Sequence, residues 1–491
     1  MDRGLYMSKK NIVFILADQL RHDFCGCYGA DWLKTPHIDQ LAKEGVRYTN
    51  TISPSPICVP ARASLLTGKS PIANRVADNS KWLRPDHNEM GIYTWPHLLN
   101  EKGYHTAAIG KMHFYPWDIQ EGFQHRVIAE DKRHIEIQDD YTLYLKKHGL
   151  NRMHGSASEG YYENVGAILS TIPEKYQIDR FVCEEACAYL DCMDTEQPFA
   201  MMIGFPGPHC PYDPSEEAME KIDPDAIVPL SVPGTDETEL FREDSVLANS
   251  YPWNGVDISA FTEVQKEKIR KHYSALVQTI DTHVGTIIQK LKEKGIYEDT
   301  IIIFSSDHGD YLGDFGMAGK GLFYESSIRI PLIIRVPDQE SQVVNQLVSL
   351  TDLHHTILHL AGIVVEDTTD STVLEPFGTT IERAPILGAT SMGWMLRDNQ
   401  YQFTMYENGL RELYNMKEDP KQQSNLVHHT AYQDIVNSMC SMLQKRVFAA
   451  MNEGNEDLIA KADNYIRKQG TDPFNYEGWK RPYPYCTTKL K

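Results

Sequence analysis

Cysteine is scarce and irregularly placed. Nine cysteines in 491 residues, an odd number, exclude a disulfide-built scaffold. No Asn-x-Ser/Thr acceptor occurs. No run reaches the roughly 18 apolar residues that span a bilayer, so no membrane partner is expected. The stretch before Asn11 is polar, and the apolar run Ile12–Ala17 leads into Asp18 rather than a small-residue cleavage site. These features point to a cytoplasmic protein with reduced thiols. Positive charge is also short. Lys and Arg total 48 against 68 Asp and Glu, a net charge of −20. A polyanion-wrapping surface is excluded, and no nucleic-acid partner is expected.

What is present is an alternation of strand-like and helical segments, the mark of an α/β fold. Asn11–Ala17 is a continuous apolar run, as in a strand buried on both faces. His105–Ile109, Phe199–Phe205 and Thr300–Phe304 are similar. Helices are predicted over Thr35–Gly45 and Thr262–Lys294, the second closed by Gly295. The last quarter changes character. Short strands over Met395–Tyr406 and Arg411–Asn415 flank an Asn408-Gly409 turn, and a helix over Ala431–Met451 follows. The expected organisation is a catalytic α/β domain over 1–385, with surface insertions at about 120–195 and 212–262, and a smaller α+β subdomain over 386–491.

Chemistry concentrates where strands end. Asp18-Gln19, Lys111-Met112-His113, His209 and Asp307-His308-Gly309-Asp310 each follow one of the apolar runs. Ligands of open α/β sheets bind beyond the carboxyl ends of the strands. Asp18, Asp307 and His308 are therefore candidate ligands of a divalent cation. Lys111, His113 and His209 are candidates to supply charge or protons to an anionic substrate. Taken singly, an Asp after a strand is more often a cap, and a lone His more often structural. The repetition over four strand ends favours a site.

Cys58-Val59-Pro60-Ala61-Arg62-Ala63-Ser64-Leu65-Leu66-Thr67-Gly68 reads as a Pro-started helix with Cys58 just before its N-terminus, where an anion is stabilised. Arg62 lies one turn on and can point back at residue 58. A Cys-x5-Arg phosphatase loop would need Arg where Ser64 stands. A phosphate loop drawn from Ala63 to Ser70 lacks its first Gly. A buried structural thiol is the bland alternative for Cys58 alone. The clustered Cys183, Cys187 and Cys192 fit one helix as packed thiols.

The Cys58-x-Pro60-x-Arg62 string with Leu65, Thr67 and Gly68 resembles the signature of the type I sulfatases of the alkaline phosphatase superfamily. Gly103 to His113, Pro208-His209-x-Pro211, Ser306-Asp307-His308-Gly309, and Lys320 with Tyr324-Glu325 and Arg329-Ile330-Pro331 resemble further family blocks. So do Asp352-Leu353, Leu413-Tyr414-Asn415 and Asp419-Pro420. The resemblance implies an alkaline-phosphatase-like α/β sandwich with a mixed central sheet. It implies hydrolysis of sulfate monoesters, of a carbohydrate or other small organic molecule, through formylglycine made from Cys58 by a maturation enzyme. One hydroxyl of the hydrated aldehyde takes the sulfuryl group, and the other expels it. Asp18, Gln19, residue 58, Asp307 and His308 would hold one divalent cation, Ca2+ before Mn2+, Mg2+ or Zn2+. Arg62 would hold the formylglycine hydroxylate, and Lys111 and Lys320 would bind sulfate oxygens. His209 would protonate the leaving oxygen, and His113 would support the second hydroxyl.

Gln19 stands where many sulfatases carry a second Asp, and His308 where many carry Asn. Both are similar to the choline-sulfatase and phosphonate-monoesterase branch. The alternatives are therefore a phosphonate monoester or phosphodiester hydrolase with the same site, and a non-catalytic sulfated-glycan-binding member of the fold. An oligomer is compatible with any of them.

Overall fold

The first apolar run forms strand β1 (Asn11–Asp18), and every one of its residues is buried. Its side chains alternate between two cores. Val13, Ile15 and Ala17 pack on one face of the sheet, and Ile12, Phe14 and Leu16 on the other. A strand covered on both faces has no polar side, hence the unbroken run. The computed structural model describes residues 9–89, 91–194, 196–223, 228, 229, 231–378 and 383–458. The aromatic Trp479–Tyr485 segment lies outside them, as does Cys486.

Seven more strands complete a mixed sheet: β2 (Val46–Ile52), β3 (His105–Gly110), β4 (His125–Ile128), β5 (Phe199–Pro208), β6 (Thr300–Ser306), β7 (Arg329–Arg335) and β8 (Gln342–Ser349). The order is β4-β3-β5-β1-β6-β7-β2-β8. Strands β4, β3, β5, β1 and β6 run parallel, and β7 is antiparallel to both β6 and β2. The carboxyl ends of β1, β3, β5 and β6 thus lie along one edge.

The helix expected over Thr262–Lys294 runs Glu263–Glu293. Thr262 caps it reciprocally with Gln265, and Gly295 follows in the left-handed region at φ 71°. Its buried face, including Ile269, Tyr273, Ile280 and Ile287, lies in the core that holds Val13 and Ile15. The helix Ile178–Cys192 packs into the same core through Phe181, Val182, Ala186 and Leu190. It carries Cys183, Cys187 and Cys192, all unpaired. This corrects the reading of 120–195 as surface insertion: its 15-residue helix belongs to the sheet's covering layer.

Beyond it, β9 (Ile386–Thr390), β10 (Gly393–Arg397), β11 (Tyr401–Tyr406) and β12 (Arg411–Asn415) form an antiparallel sheet in the order β12-β11-β10-β9. The single strand expected over Met395–Tyr406 is two. The Asp398 carboxylate accepts the backbone N–H groups of Gln400 and Tyr401 and closes a turn between them. The helix Gln433–Leu458 buries Val436, Met439 and Leu443 against Leu396, Phe403 and Leu413 of this sheet. Among the described residues, no helix is long and apolar enough to cross a membrane.

Candidate active site

The helix Cys58–Thr67 is buried at every position and ends on Gly68, whose φ of 69° lets its N–H reach Ser64 O at 2.9 Å. Cys58 is its first residue rather than the one before it. Asn79 Oδ1 accepts the Val59 N–H at 3.0 Å and satisfies one free donor of the first turn. Asn79 is thus a helix cap.

Arg62 projects under the strand ends. Its Nε meets Asp307 Oδ2 at 2.9 Å, its Nη2 meets Asp18 Oδ2 at 2.9 Å, and its Nη1 donates to Lys111 O at 2.7 Å. Each guanidinium nitrogen therefore has a protein partner. Arg62 was expected to aim at residue 58. The structure has it clamp the two carboxylates that face residue 58. Lys111 is fully buried, with Nζ 2.9 Å from Asp18 and 3.1 Å from Asp131. Burial and the facing Cys58 push the Asp18 carboxyl up, but the charges of Lys111 and Arg62 outweigh them and hold it below the usual carboxylate range. Burial pushes Asp307 up, with Asp18 adding to the effect.

His308 Nδ1 lies 2.9 Å from the Gly309 carbonyl, which can only accept, so Nδ1 carries the proton. Nε2 is then the ligand-type nitrogen, and it sits 3.2 Å from Cys58 Sγ. Lys320 Nζ approaches the same sulfur at 2.9 Å. Burial opposes a thiolate here, but Lys320, His308 and Lys111 outweigh it, with His113 adding a hydrogen bond. The Cys58 pKa lies well below that of a free thiol, so position 58 is built for negative charge.

Donor atoms of Asp18, Cys58, Asp307 and His308 all lie within 4.8 Å of one another. Two carboxylates, an imidazole with its other nitrogen already committed and a sulfur form a donor set that fits a divalent cation. Gln19 is placed differently. Its carboxamide oxygen accepts from Lys320 at 2.6 Å, and its nitrogen donates to Asp310. Gln19 adopts φ 66°, held by its N–H on Asp307 Oδ1 at 3.0 Å. Such a backbone persists only where its surroundings enforce it. The turn sends the carboxamide toward Lys320.

His209 Nδ1 lies 2.7 Å from the Cys210 carbonyl, and Nε2 faces the site, 4.0 Å from Asp18 Oδ1. Burial, with the Lys320 charge, pushes its pKa down to about 3. As placed it is neutral, with Nε2 accepting from Arg133 Nη2 at 3.2 Å, so it must first take a proton before giving one. His113 also has a left-handed backbone, φ 60°, with its N–H on Glu130 Oε1 at 3.0 Å. Its Nδ1 is buried without a partner among the described residues, and its ring stacks on Trp117 at 5.8 Å.

Two site residues escaped the sequence reading. Asp131 and Arg133 come from the stretch taken as insertion. Asp131 is 1% exposed and shared by Lys111 and Arg133. Arg133 Nη2 lies 3.2 Å from His209 Nε2. A run of Asp-Lys-Arg looks like a solvated surface, and no local signal marks it as buried.

A family profile described as Sulfatase matches residues 10–363. The chain is 29% identical to a choline-sulfatase of Rhizobium meliloti over 451 residues, covering 86% of this chain and 83% of that protein. It is 27% identical to an arylsulfatase of Clostridium perfringens over 502 residues, covering 94% and 98%. The solved phosphonate monoester hydrolase of Agrobacterium radiobacter overlays with a TM-score of 0.75 at 22% identity, covering 90% and 96%.

Proposed function

Because the chain belongs to the sulfatase family and has its alkaline-phosphatase-like α/β fold, we propose that it hydrolyses sulfate monoesters of small organic molecules or sugars at Cys58, with that residue converted to formylglycine. The observation that carries this reading is the convergence of Asp18, Asp307, His308 and Lys320 on the Cys58 sulfur. The hydrated aldehyde offers two hydroxyls on one carbon, one to take the sulfuryl group and one to expel it as sulfate.

Asp18, Asp307, His308 and residue 58 would hold a divalent cation, Ca2+ being the first candidate. Bound there, it supplies positive charge that lowers the pKa of an oxygen ligand and polarises the ester. Lys320 holds the position of the sulfate oxygens, because its Nζ already sits on residue 58 and Gln19 fixes its direction. Lys111 has one N–H beyond its two carboxylate partners and faces the same group. Arg62 keeps Asp18 and Asp307 ionised and apart. His113, whose side chain hydrogen-bonds residue 58, would support the second hydroxyl. His209 would serve through Nε2 as acid for the leaving oxygen once the anionic substrate has favoured its protonated form over the Arg133 Nη2 contact. A cytoplasmic setting and a separate maturation enzyme belong to this reading.

The test is kinetic and chemical. Purified from its own host, the protein should cleave 4-nitrophenyl sulfate, and the peptide containing residue 58 should show the aldehyde mass. An intact thiol in fully active protein would end the formylglycine reading. A second reading, phosphonate monoester or phosphodiester hydrolysis, is favoured by Gln19 and His308, which mirror that branch. Much faster cleavage of bis(4-nitrophenyl) phosphate than of the sulfate would select it.

A further inference from the structure

Asp131 is one carboxylate serving two cations. Its Oδ2 lies 3.1 Å from Lys111 Nζ and 2.9 Å from Arg133 Nη2, and its Oδ1 accepts from Arg133 Nε at 3.0 Å. Lys111 has a second carboxylate in Asp18, which Arg62 also uses. With Asp307 on Arg62, the chain alternates three carboxylates with three cations and ends at Arg133, whose one carboxylate among the described residues is shared with Lys111. The guanidinium plane is fixed by the two-point contact with Asp131. Nη2 adds a contact to His209 Nε2 at 3.2 Å, and Nη1 has no partner among the described residues. The Arg133 side chain keeps 15% of its surface exposed, so Nη1 is open to a ligand while the rest of the fork is held.

Placement gives that nitrogen a purpose. His209 Nε2 faces the ester's leaving oxygen in the function proposed above. Arg133 Nη2 touches that Nε2 at 3.2 Å, so the free Nη1 belongs to a guanidinium that borders the His209 side of the site. The next residue, His134, begins an aromatic wall. Its ring is 5.3 Å from Trp117, and Trp117 stacks on His113 and meets Tyr115 edge-on at 5.8 Å. Tyr115 is 62% exposed and offers an open ring surface. A fixed guanidinium beside an aromatic wall suits a ring that carries an anionic substituent. The same cation disfavours a positively charged leaving group.

We propose that Arg133 is a specificity-determining residue that binds a second negative charge, such as a carboxylate or another sulfate, on a ring-bearing leaving group. This rests on the sulfate-ester reading for the identity of the leaving group, but its test does not rest on turnover alone.

Two measurements test it. The first compares kcat/KM for phenyl sulfate and for the sulfate ester of 3-hydroxybenzoate. The wild-type protein should favour the carboxylated ester, and Arg133→Gln should reduce that preference about tenfold or more. Arg133→Lys, which keeps the charge without the fork, should restore part of it. The second is calorimetric titration with 3-hydroxybenzoate and with phenol. The wild type should bind the carboxylate tighter, and Arg133→Gln should lose the difference. If Arg133→Gln slows both esters equally and leaves the binding difference intact, Arg133 only holds Asp131 and His209, and the inference is overturned. Equal binding of the two compounds by the wild type overturns it as well. Absence of sulfate hydrolysis alongside an Arg133-dependent binding difference sinks the reaction reading and leaves the anion site standing.

Discussion

The site has two halves of different construction. The inner half is Cys58, Arg62, Asp18, Asp307 and His308, delivered by strand ends and one buried helix, with every residue at most 1% exposed. The outer half is Asp131, Arg133, His113, Trp117 and Tyr115, delivered by the segment after β3. It is half-open and held by pairs with residues distant in sequence. Charges in the inner half are locked to one another, whereas in the outer half one guanidinium arm is left free. A fold can thus keep bond-breaking chemistry fixed at the sheet edge while the surrounding segment decides what is bound.

The first way to break this comparison is to remove the proposed nucleophile. Cys58→Ala should lose at least about ten-thousandfold in kcat/KM on 4-nitrophenyl sulfate, with unchanged circular dichroism. A smaller loss would mean that residue 58 is not where the bond is made, whereas no hydrolysis by the wild type would favour the non-catalytic, glycan-binding reading. Arg62→Met probes the inner half as structure. It strands Asp18 and Asp307 without their shared cation, and breaking a buried pair of this kind costs about 3–5 kcal/mol. Urea unfolding of the metal-free protein would measure it. A cost under about 1 kcal/mol, the range of an exposed pair, would mean the inner half is no more locked than the rim.

The inner half was legible in sequence because its residues sit at positions the pattern marks. A buried strand reads as an apolar run, and the first polar residue after it falls at the sheet edge. Asp18, Lys111, His209 and Asp307 were all reachable this way. What the pattern does not carry is direction. Gln19 and Asp18 are neighbours, yet the left-handed turn at Gln19 gives its carboxamide Lys320 and Asp310 as partners. Arg62 has the right spacing to face residue 58 but finds closer acceptors. The outer half was not legible at all. Asp131 is buried by Lys111, twenty residues away, and by Arg133, and such long-range pairing leaves no periodic trace. Likewise β7 and β8 are separated from β2 by almost 300 residues, and only the folded sheet joins them.

Asp131→Asn sharpens the boundary between the halves. It keeps the shape but removes the charge that Lys111 and Arg133 share. Partners of this kind typically contribute tenfold to a hundredfold to the groups they orient. We expect kcat/KM to fall by about that much while the peptide of residue 58 still shows the modified mass. Loss of the modification in this variant would show that the outer half is needed for maturation, and the division would fail.

The smallest effect concerns how the outer half is anchored. His87 Nε2 lies 2.9 Å from Glu121 Oε2, and His87 Nδ1 lies 2.7 Å from Ile92 O. The other Glu121 oxygen accepts from Trp82 Nε1 at 2.7 Å, and Trp82 packs on Phe114 at 5.0 Å, next to His113. Burial opposes charge on His87, but the Glu121 and Ile92 hydrogen bonds outweigh it and raise its pKa above the ordinary value. A histidine whose folded pKa is raised binds its proton more tightly when folded. Its contribution is therefore complete below the unfolded pKa of about 6.5 and is lost as pH rises through the higher folded value. Thermal midpoints of the wild type should fall slightly more between pH 6 and pH 8.5 than those of His87→Gln, a difference of about 1 kcal/mol or less. Identical pH slopes would mean that Glu121 is held by Trp82 alone. If the slopes differ but kcat/KM for phenyl sulfate responds in parallel, the anchor and the bond-breaking half are mechanically coupled, and the two halves cannot be treated as independent.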